Sequence, residues 1–205
     1  LKTNKAIRTC GLSNEMVQRI LNIAKKYHSA TDPFIDGRAI TQPSSIDHMD
    51  EFGLSPQMQK LIRDTREVVP DVMEYVKTTG AQAEKINIFM ADLEEREILR
   101  RELMAMPELS ISSSMYNNLE VNAKGADKGS ALLWLADHLG ISREETMAFG
   151  DGENDIPMIK DAGIGVAMEN ALDAVKEAAD TITLNNDEDG VAAAIRKFIF
   201  GSSEE

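Results

Sequence analysis

The spacing of apolar positions along the chain changes near its middle. In "SNEMVQRILNIAKKY" (13–27), Met16, Val17, Ile20, Leu21 and Ala24 recur three and four residues apart. That is the stripe of an amphipathic helix, and Ser13 stands where an N-cap accepts an orphan backbone N–H. "SPQMQKLIRDTREVV" and "DVMEYVKTTG" predict further helices. So does "EEREILRRELMAM" (94–106), a charged face with i, i+4 pairs such as Glu97 and Arg101. "KINIFM" (85–90) predicts a strand. "LSISSS" (109–114) and "NLEVN" (118–122) predict two paired strands around Met115-Tyr116-Asn117. Residues 31–56, rich in Pro, Gly, Ser and Asp, predict mostly loop with room for short strands. Strands with helices on one side make a small α+β module.

From residue 127 the texture is a regular alternation. "DKGSALLWLADHLG" (127–140) predicts a helix with Leu132, Leu135 and Leu139 along one face and Gly140 as its stop. "SREE" (142–145) has the form of a capping box. "TMAFG" (146–150), "IGVAM" (164–168) and "TITL" (181–184) are short apolar runs, hence buried strands. Between and after them "DIPMIKDAG", "NALDAVKEAA" (with Asn170 as its cap) and "EDGVAAAIRKFIF" predict helices. Strand and helix in this rhythm give an α/β parallel sheet with helices on its faces, where ligands gather at the carboxyl ends of strands. The boundary between the two textures falls in "NAKGA" (122–126), giving an α+β module over 1–122 and an α/β module over 123–205.

Composition narrows the range of partners. The net charge of −13 leaves no basic footprint for nucleic acid or an anionic membrane surface. The longest apolar run, "ALLWLA", is too short to span a bilayer. Cys10 is the only cysteine, so no internal disulfide forms. No signal peptide is visible, and cytoplasm is the expected compartment. His28, His48 and His138 are scattered and read as surface residues. Arg38, in the polar loop 32–53, is a candidate contact for an anionic group or one half of a surface ion pair.

The chemistry concentrates in "FGDGENDIPMI", where Asp151, Glu153 and Asp155 crowd together with Asn154 between two of them. Like charges this close call for a positive partner. Gly150 and Gly152 permit a sharp turn and close approach of a ligand. Carboxylates with few neighbouring bases suit Mg²⁺, which takes one or two of them together with water and phosphate oxygens. The alternative is an acidic turn capping the following helix.

"GDGENDIPMI" followed by "AGIGVAMENALDAVKEAADTITLNNDEDGVAAAI" resembles the haloacid dehalogenase (HAD) superfamily, in particular its Cof-type sugar-phosphate phosphatases with a mobile α/β cap. The resemblance implies a partial doubly wound, Rossmannoid core domain joined to an α+β cap, and it is close over about residues 109–205. It implies that Asp151 binds Mg²⁺, that Asn154 meets the substrate phosphate, and that Asp155 supports the metal site. It further implies that Lys128, in "DKGSAL", pairs with the nucleophile and the phosphate. The substrate class implied is a small phosphorylated metabolite.

Members of this family begin with an apolar strand and Asp-x-Asp-Gly-Thr, whose first Asp forms an aspartyl-phosphate. No such strand occurs in the sequence. "DEDG" (187–190) follows two asparagines, has Val191 in place of Thr, and reads as a solvated helix start. The chain also opens Leu1-Lys2-Thr3 without Met. The expectation is therefore a cap plus the second half of the core, inactive by itself. Two other functions fit parts of the pattern. The phosphorylation domain of a P-type ATPase shares Gly-Asp-Gly-x-Asn-Asp-x-Pro, with Gly152 and Pro157 in place. A non-catalytic module would keep a metal-like site without a nucleophile.

Overall fold

The computed structural model describes residues 6–201; Leu1-Lys2-Thr3 and both ends of the expected modules, 1–5 and 202–205, lie outside them. The chain divides into two compact units between Ala126 and Asp127.

The first unit opens with α1 (Asn14–Ala24), capped as expected by Ser13, whose hydroxyl accepts from Met16 N–H. A hairpin follows, β1 (Ala30–Ile35) and β2 (Arg38–Thr41), then α2 (Pro43–Asp47), a 3₁₀ turn at Met49–Phe52, and α3 (Pro56–Thr65). Next come β3 (Glu67–Val68), α4 (Val72–Thr79), β4 (Lys85–Phe89), α5 (Leu93–Met104), β5 (Leu109–Ser112) and β6 (Asn118–Ala123). The strands form one sheet in the order β3-β2-β1-β4-β6-β5. Only the β2–β3 pair is parallel.

The hairpin supplies the short strands for which 31–56 left room. Asp36 and Gly37 both take positive φ, 51° and 74°, which is the Asp-Gly turn that matches the twist of paired strands. Pro33 hid the strand, because a proline in a run demotes it. It is tolerated because the β1–β2 register covers only Phe34 and Ile35, so Pro33 lies beyond that ladder.

The main core joins Val17, Ile20 and Leu21 of α1, Val72 and Val76 of α4, and Leu99 and Leu103 of α5 to Ile86, Ile88, Leu119 and Val121 of the sheet. A smaller cluster of Ala30, Met49, Phe52, Leu54, Ile62 and Phe89 closes the other side at one end of the strands. At about 25 cal/mol per Å² of apolar surface removed from water, this burial is the main term holding the unit together. On α5, Glu97 pairs with Arg96 rather than Arg101, which donates instead to the Glu97 carbonyl at 3.2 Å.

The second unit has α6 (Lys128–Leu139), a 3₁₀ turn at Arg143–Glu145, β7 (Met147–Gly150), a second turn at Glu153–Asp155 and α7 (Ile156–Asp161). It continues with β8 (Ile164–Ala167), α8 (Asp173–Ala178), β9 (Thr181–Ile182) and α9 (Gly190–Ile199). The sheet order is β7-β8-β9 with every pair parallel, the α/β arrangement that the alternation predicts. Ser142 N–H donates to Glu145 Oε2 at 2.9 Å, completing the capping box.

α6 ends at Gly140 as expected, and its leucine face is not the buried one. Its buried residues are Gly129 and Ala136, while Leu135 and Leu139 are exposed and Leu132 is half-buried. A Cβ at Gly129 would lie 2.7 Å from Pro157 carbonyl carbon and oxygen. The helices α6 and α7 thus meet backbone to backbone through a small residue, which turns the leucine stripe outward.

Candidate active site

Every residue of the acidic stretch is set by the end of β7. Main-chain hydrogen bonds from Met168 N–H to the Gly150 carbonyl (3.0 Å) and from Leu172 N–H to the Asp151 carbonyl (3.1 Å) fix the chain as it leaves the sheet. The Asp155 side chain folds back over this turn. Its Oδ2 accepts from the N–H groups of Asp151 at 3.0 Å and Gly152 at 3.1 Å. Gly150 is required for that return: a Cβ there would stand 2.7 Å from Asp155 Cγ.

Lys128, at the start of α6, donates to Asp155 Oδ1 and forms an ion pair with it. The lysine is half-exposed, whereas Asp155 is only 6% exposed. Burial works to raise the Asp155 pKa, but the Lys128 ammonium and the two backbone amides outweigh it and hold the carboxyl below its ordinary value. A buried carboxylate kept ionised and satisfied on both oxygens is a fixed anchor for Lys128.

Asp151 is exposed at the strand end, and its Oδ2 accepts from Asn170 Nδ2 at 3.1 Å. Asn170 is not a helix cap, since α8 begins three residues later with Leu172 at its N-cap. Its Oδ1 accepts from Asn186 N–H at 3.1 Å, so it ties the loop after β9 to Asp151. Sequence reading missed this role because Asn before a helix is a routine cap signal. Asn154 is half-exposed beside Gly152. The structure therefore brings Lys128, Asp151, Asn154 and Asp155 to one loop.

Among the described residues no group of three or more His, Cys, Asp or Glu side chains is arranged to hold a metal. The donor set nonetheless suits Mg²⁺ in a divided way. Both Asp155 oxygens are committed within the protein, whereas Asp151 offers an exposed hard carboxylate, and a single carboxylate with water and phosphate oxygens is a usual Mg²⁺ environment.

The remaining sequence candidates lie elsewhere. Arg38 pairs with Glu67 at 2.7 Å. His28 and His48 lie at the surface as expected, and both meet Glu51, at 3.1 and 2.8 Å, with the rings more than half exposed. His138 stacks on Trp134 at 5.1 Å. A cavity of about 570 Å³ along β9 and α9 is lined by Ile182, Leu184 and Phe198 and contains none of the four loop residues.

A parallel sheet whose strand end carries an acidic, glycine-flanked loop defines the class of α/β proteins that bind ligands at that edge. The family model for haloacid dehalogenase-like hydrolases matches residues 1–195. A 5-amino-6-(5-phospho-D-ribitylamino)uracil phosphatase of Bacillus subtilis strain 168 is 50% identical over 114 residues, 54% of this chain and 46% of that protein. The crystal structure of a haloacid dehalogenase-like hydrolase from Bacteroides thetaiotaomicron matches at 31% identity with a TM-score of 0.71, covering 97% of this chain and 71% of the other. A sugar phosphatase of HAD subclass IIB matches at 26% identity with a TM-score of 0.76, over 96% and 70% of the two chains. The chain belongs to the haloacid dehalogenase-like hydrolases. It spans about half the length of the curated relatives it matches. Among the described residues no helix is long and apolar enough to cross a membrane.

Proposed function

We propose that the chain contributes the phosphate-handling loop and the cap of a Mg²⁺-dependent phosphomonoesterase acting on a small phosphorylated metabolite. The observation that carries this reading is the Lys128–Asp155 pair, locked by backbone amides beside an exposed Asp151 at a parallel strand's end. Phosphoryl transfer is catalysed largely by positioning and charge stabilisation, and these residues supply both. Asp155 holds the Lys128 ammonium in place, Lys128 offsets charge on the transferring group, and Asn154 donates to a phosphoryl oxygen. Asp151 would hold Mg²⁺, oriented by Asn170. Mg²⁺ when bound neutralises phosphoryl charge. The attacking carboxylate is not among the residues gathered at this loop. The first unit acts as the cap that selects the substrate. The phosphatases among the similar proteins support the reaction class.

The test is a phosphate-release screen over sugar phosphates, nucleotides and phosphoglycolate-like acids. It compares this chain with the same chain joined to an apolar strand ending Asp-x-Asp-Gly-Thr. Release is expected from the joined protein on a few small esters, abolished by EDTA. Asp151→Asn should lower it about 100-fold, the scale of losing a charge-stabilising group worth several kcal/mol. Undiminished release by the variant would remove Asp151 from the metal site.

A further inference from the structure

The cavity of about 570 Å³ along β9 and α9 is lined by residues of the second unit alone. It exists because the two elements do not fill the space where they meet. β9 is the edge of its sheet, paired with β8 through Val166–Thr181 and Ala167–Ile182. On the helix side α9 contributes Ala193 and Ala194, one methyl group each. Ile182 and Leu184, two residues apart and so on one face of the extended chain, join Phe198 as an apolar wall. These three side chains stay 53%, 42% and 40% exposed. A concave, largely apolar site of this size suits a small molecule.

The charge of the lining runs against that of the chain. The protein has 35 acidic against 22 basic side chains. The cavity reverses that balance, with Arg196 and Lys197 against the single carboxylate of Glu169. Both cations are exposed, and among the described residues neither has a carboxylate within ion-pair distance. The Lys197 ammonium lies 5.1 Å from the centroid of the Phe198 ring instead. Cations are favoured in the last turn of a helix, where these two stand. That preference does not account for their place beside an apolar wall.

Wall and charge together select a ligand by exclusion. A cation meets two like charges and one opposite. A small hydrophilic anion leaves Ile182, Leu184 and Phe198 in water, and a neutral apolar molecule leaves both cations unpaired. A dianion brings more charge than the excess of one that the lining offers. We infer that the β9–α9 cavity is a binding site for an amphiphilic monocarboxylate. Its aliphatic chain covers Ile182, Leu184 and Phe198, which removes apolar surface from water. Its head group takes the planar fork of Arg196 and the point charge of Lys197. The inference goes beyond the phosphatase reading and does not rest on it.

The experiment uses the full chain with ¹³C-labelled Ile and Leu methyl groups, titrated with octanoate, octanol, octylammonium and acetate. Octanoate should shift the Ile182 and Leu184 methyl resonances saturably, and octylammonium and acetate should leave them in place. Octanol keeps the chain and lacks the charge, so it should bind about tenfold more weakly, the scale of a hydrogen bond to a charged group. Arg196→Gln combined with Lys197→Gln, two exposed changes that spare the core, should bring octanoate down to the octanol level. Ala193→Leu should fill the space and abolish the response without lowering the Tm. Asp151→Asn should leave the titration untouched, since loop and cavity share no residue. Unmoved Ile182 and Leu184 methyl resonances overturn the inference. So does octylammonium binding as tight as that of octanoate, unchanged octanoate affinity in the Arg196 and Lys197 double variant, or a folded Ala193→Leu protein that still responds.

Discussion

The two units differ in how they use apolar surface. In the first, helices α1, α4 and α5 bury Ile20, Val76, Leu99 and Leu103 completely against Ile86, Ile88 and Leu119. In the second, the buried cluster is Ile159, Ala167, Met168, Ala171 and Val175, while Leu139, Ile182, Ile199 and Phe200 stand at 60%, 53%, 63% and 72% exposure. The first unit is stabilised by depth of packing. The second is held by close backbone contact and by hydrogen bonds around one loop. A unit of the first kind tolerates change at its polar face, whereas a unit of the second kind is sensitive at single small residues.

That contrast can be broken at measurable points. The only tryptophan, Trp134, lies in α6, so its fluorescence reports the second unit alone. The largest effect is expected from Gly129→Leu, which forces side-chain atoms into the Pro157 backbone. It should destabilise the second unit by about 4 kcal/mol or more, the tail of point-mutant effects. Denaturant melts followed by fluorescence should shift, while a circular-dichroism component from the first unit persists. Equal loss of both signals would show that the units unfold as one.

Ile88→Ala should cost about 3 kcal/mol through the cavity left in the main core. Circular dichroism should record it, with the Trp134 midpoint little changed. Asp155→Asn should cost about 2 kcal/mol, the scale of hydrogen bonds to a charged group. Its pH dependence has a definite sign. The folded pKa of Asp155 lies below its ordinary 3.8, so its stabilising contribution is present above that value and is lost as pH falls through the folded pKa. Acid titration of Trp134 fluorescence should be less steep in the variant. The smallest effect is expected from Ile199→Ser, within about 0.5 kcal/mol for an exposed site. A large loss there would mean that the exposed apolar residues of α9 already pack against something.

Much of the second unit was legible from the sequence. Three apolar runs alternating with capped helices gave its parallel sheet, the crowding of Asp151, Asn154 and Asp155 marked the loop at its edge, and the family resemblance added Lys128 to it. The leucine stripe of α6 marked a face but not its burial, because periodicity reports which residues share a face and not whether a partner covers it. In the first unit, Pro33 concealed β1, although Asp36-Gly37 was a sufficient hairpin signal. Two kinds of information were out of reach. The pairing of Asn170 with Asp151 depends on tertiary proximity across 19 residues. The pairing of β4 with β1 and β6 depends on register between strands that local spacing does not fix.

The close meeting of α6 and α7 at Gly129 has a consequence for the ion pair beside it. It sets the origin of the Lys128 side chain by the contact of two main chains, and the carboxylate that receives the ammonium, Asp155, belongs to the same unit. The ion pair is thus local to one short span of chain, and a larger residue at position 129 would displace the cation from its carboxylate.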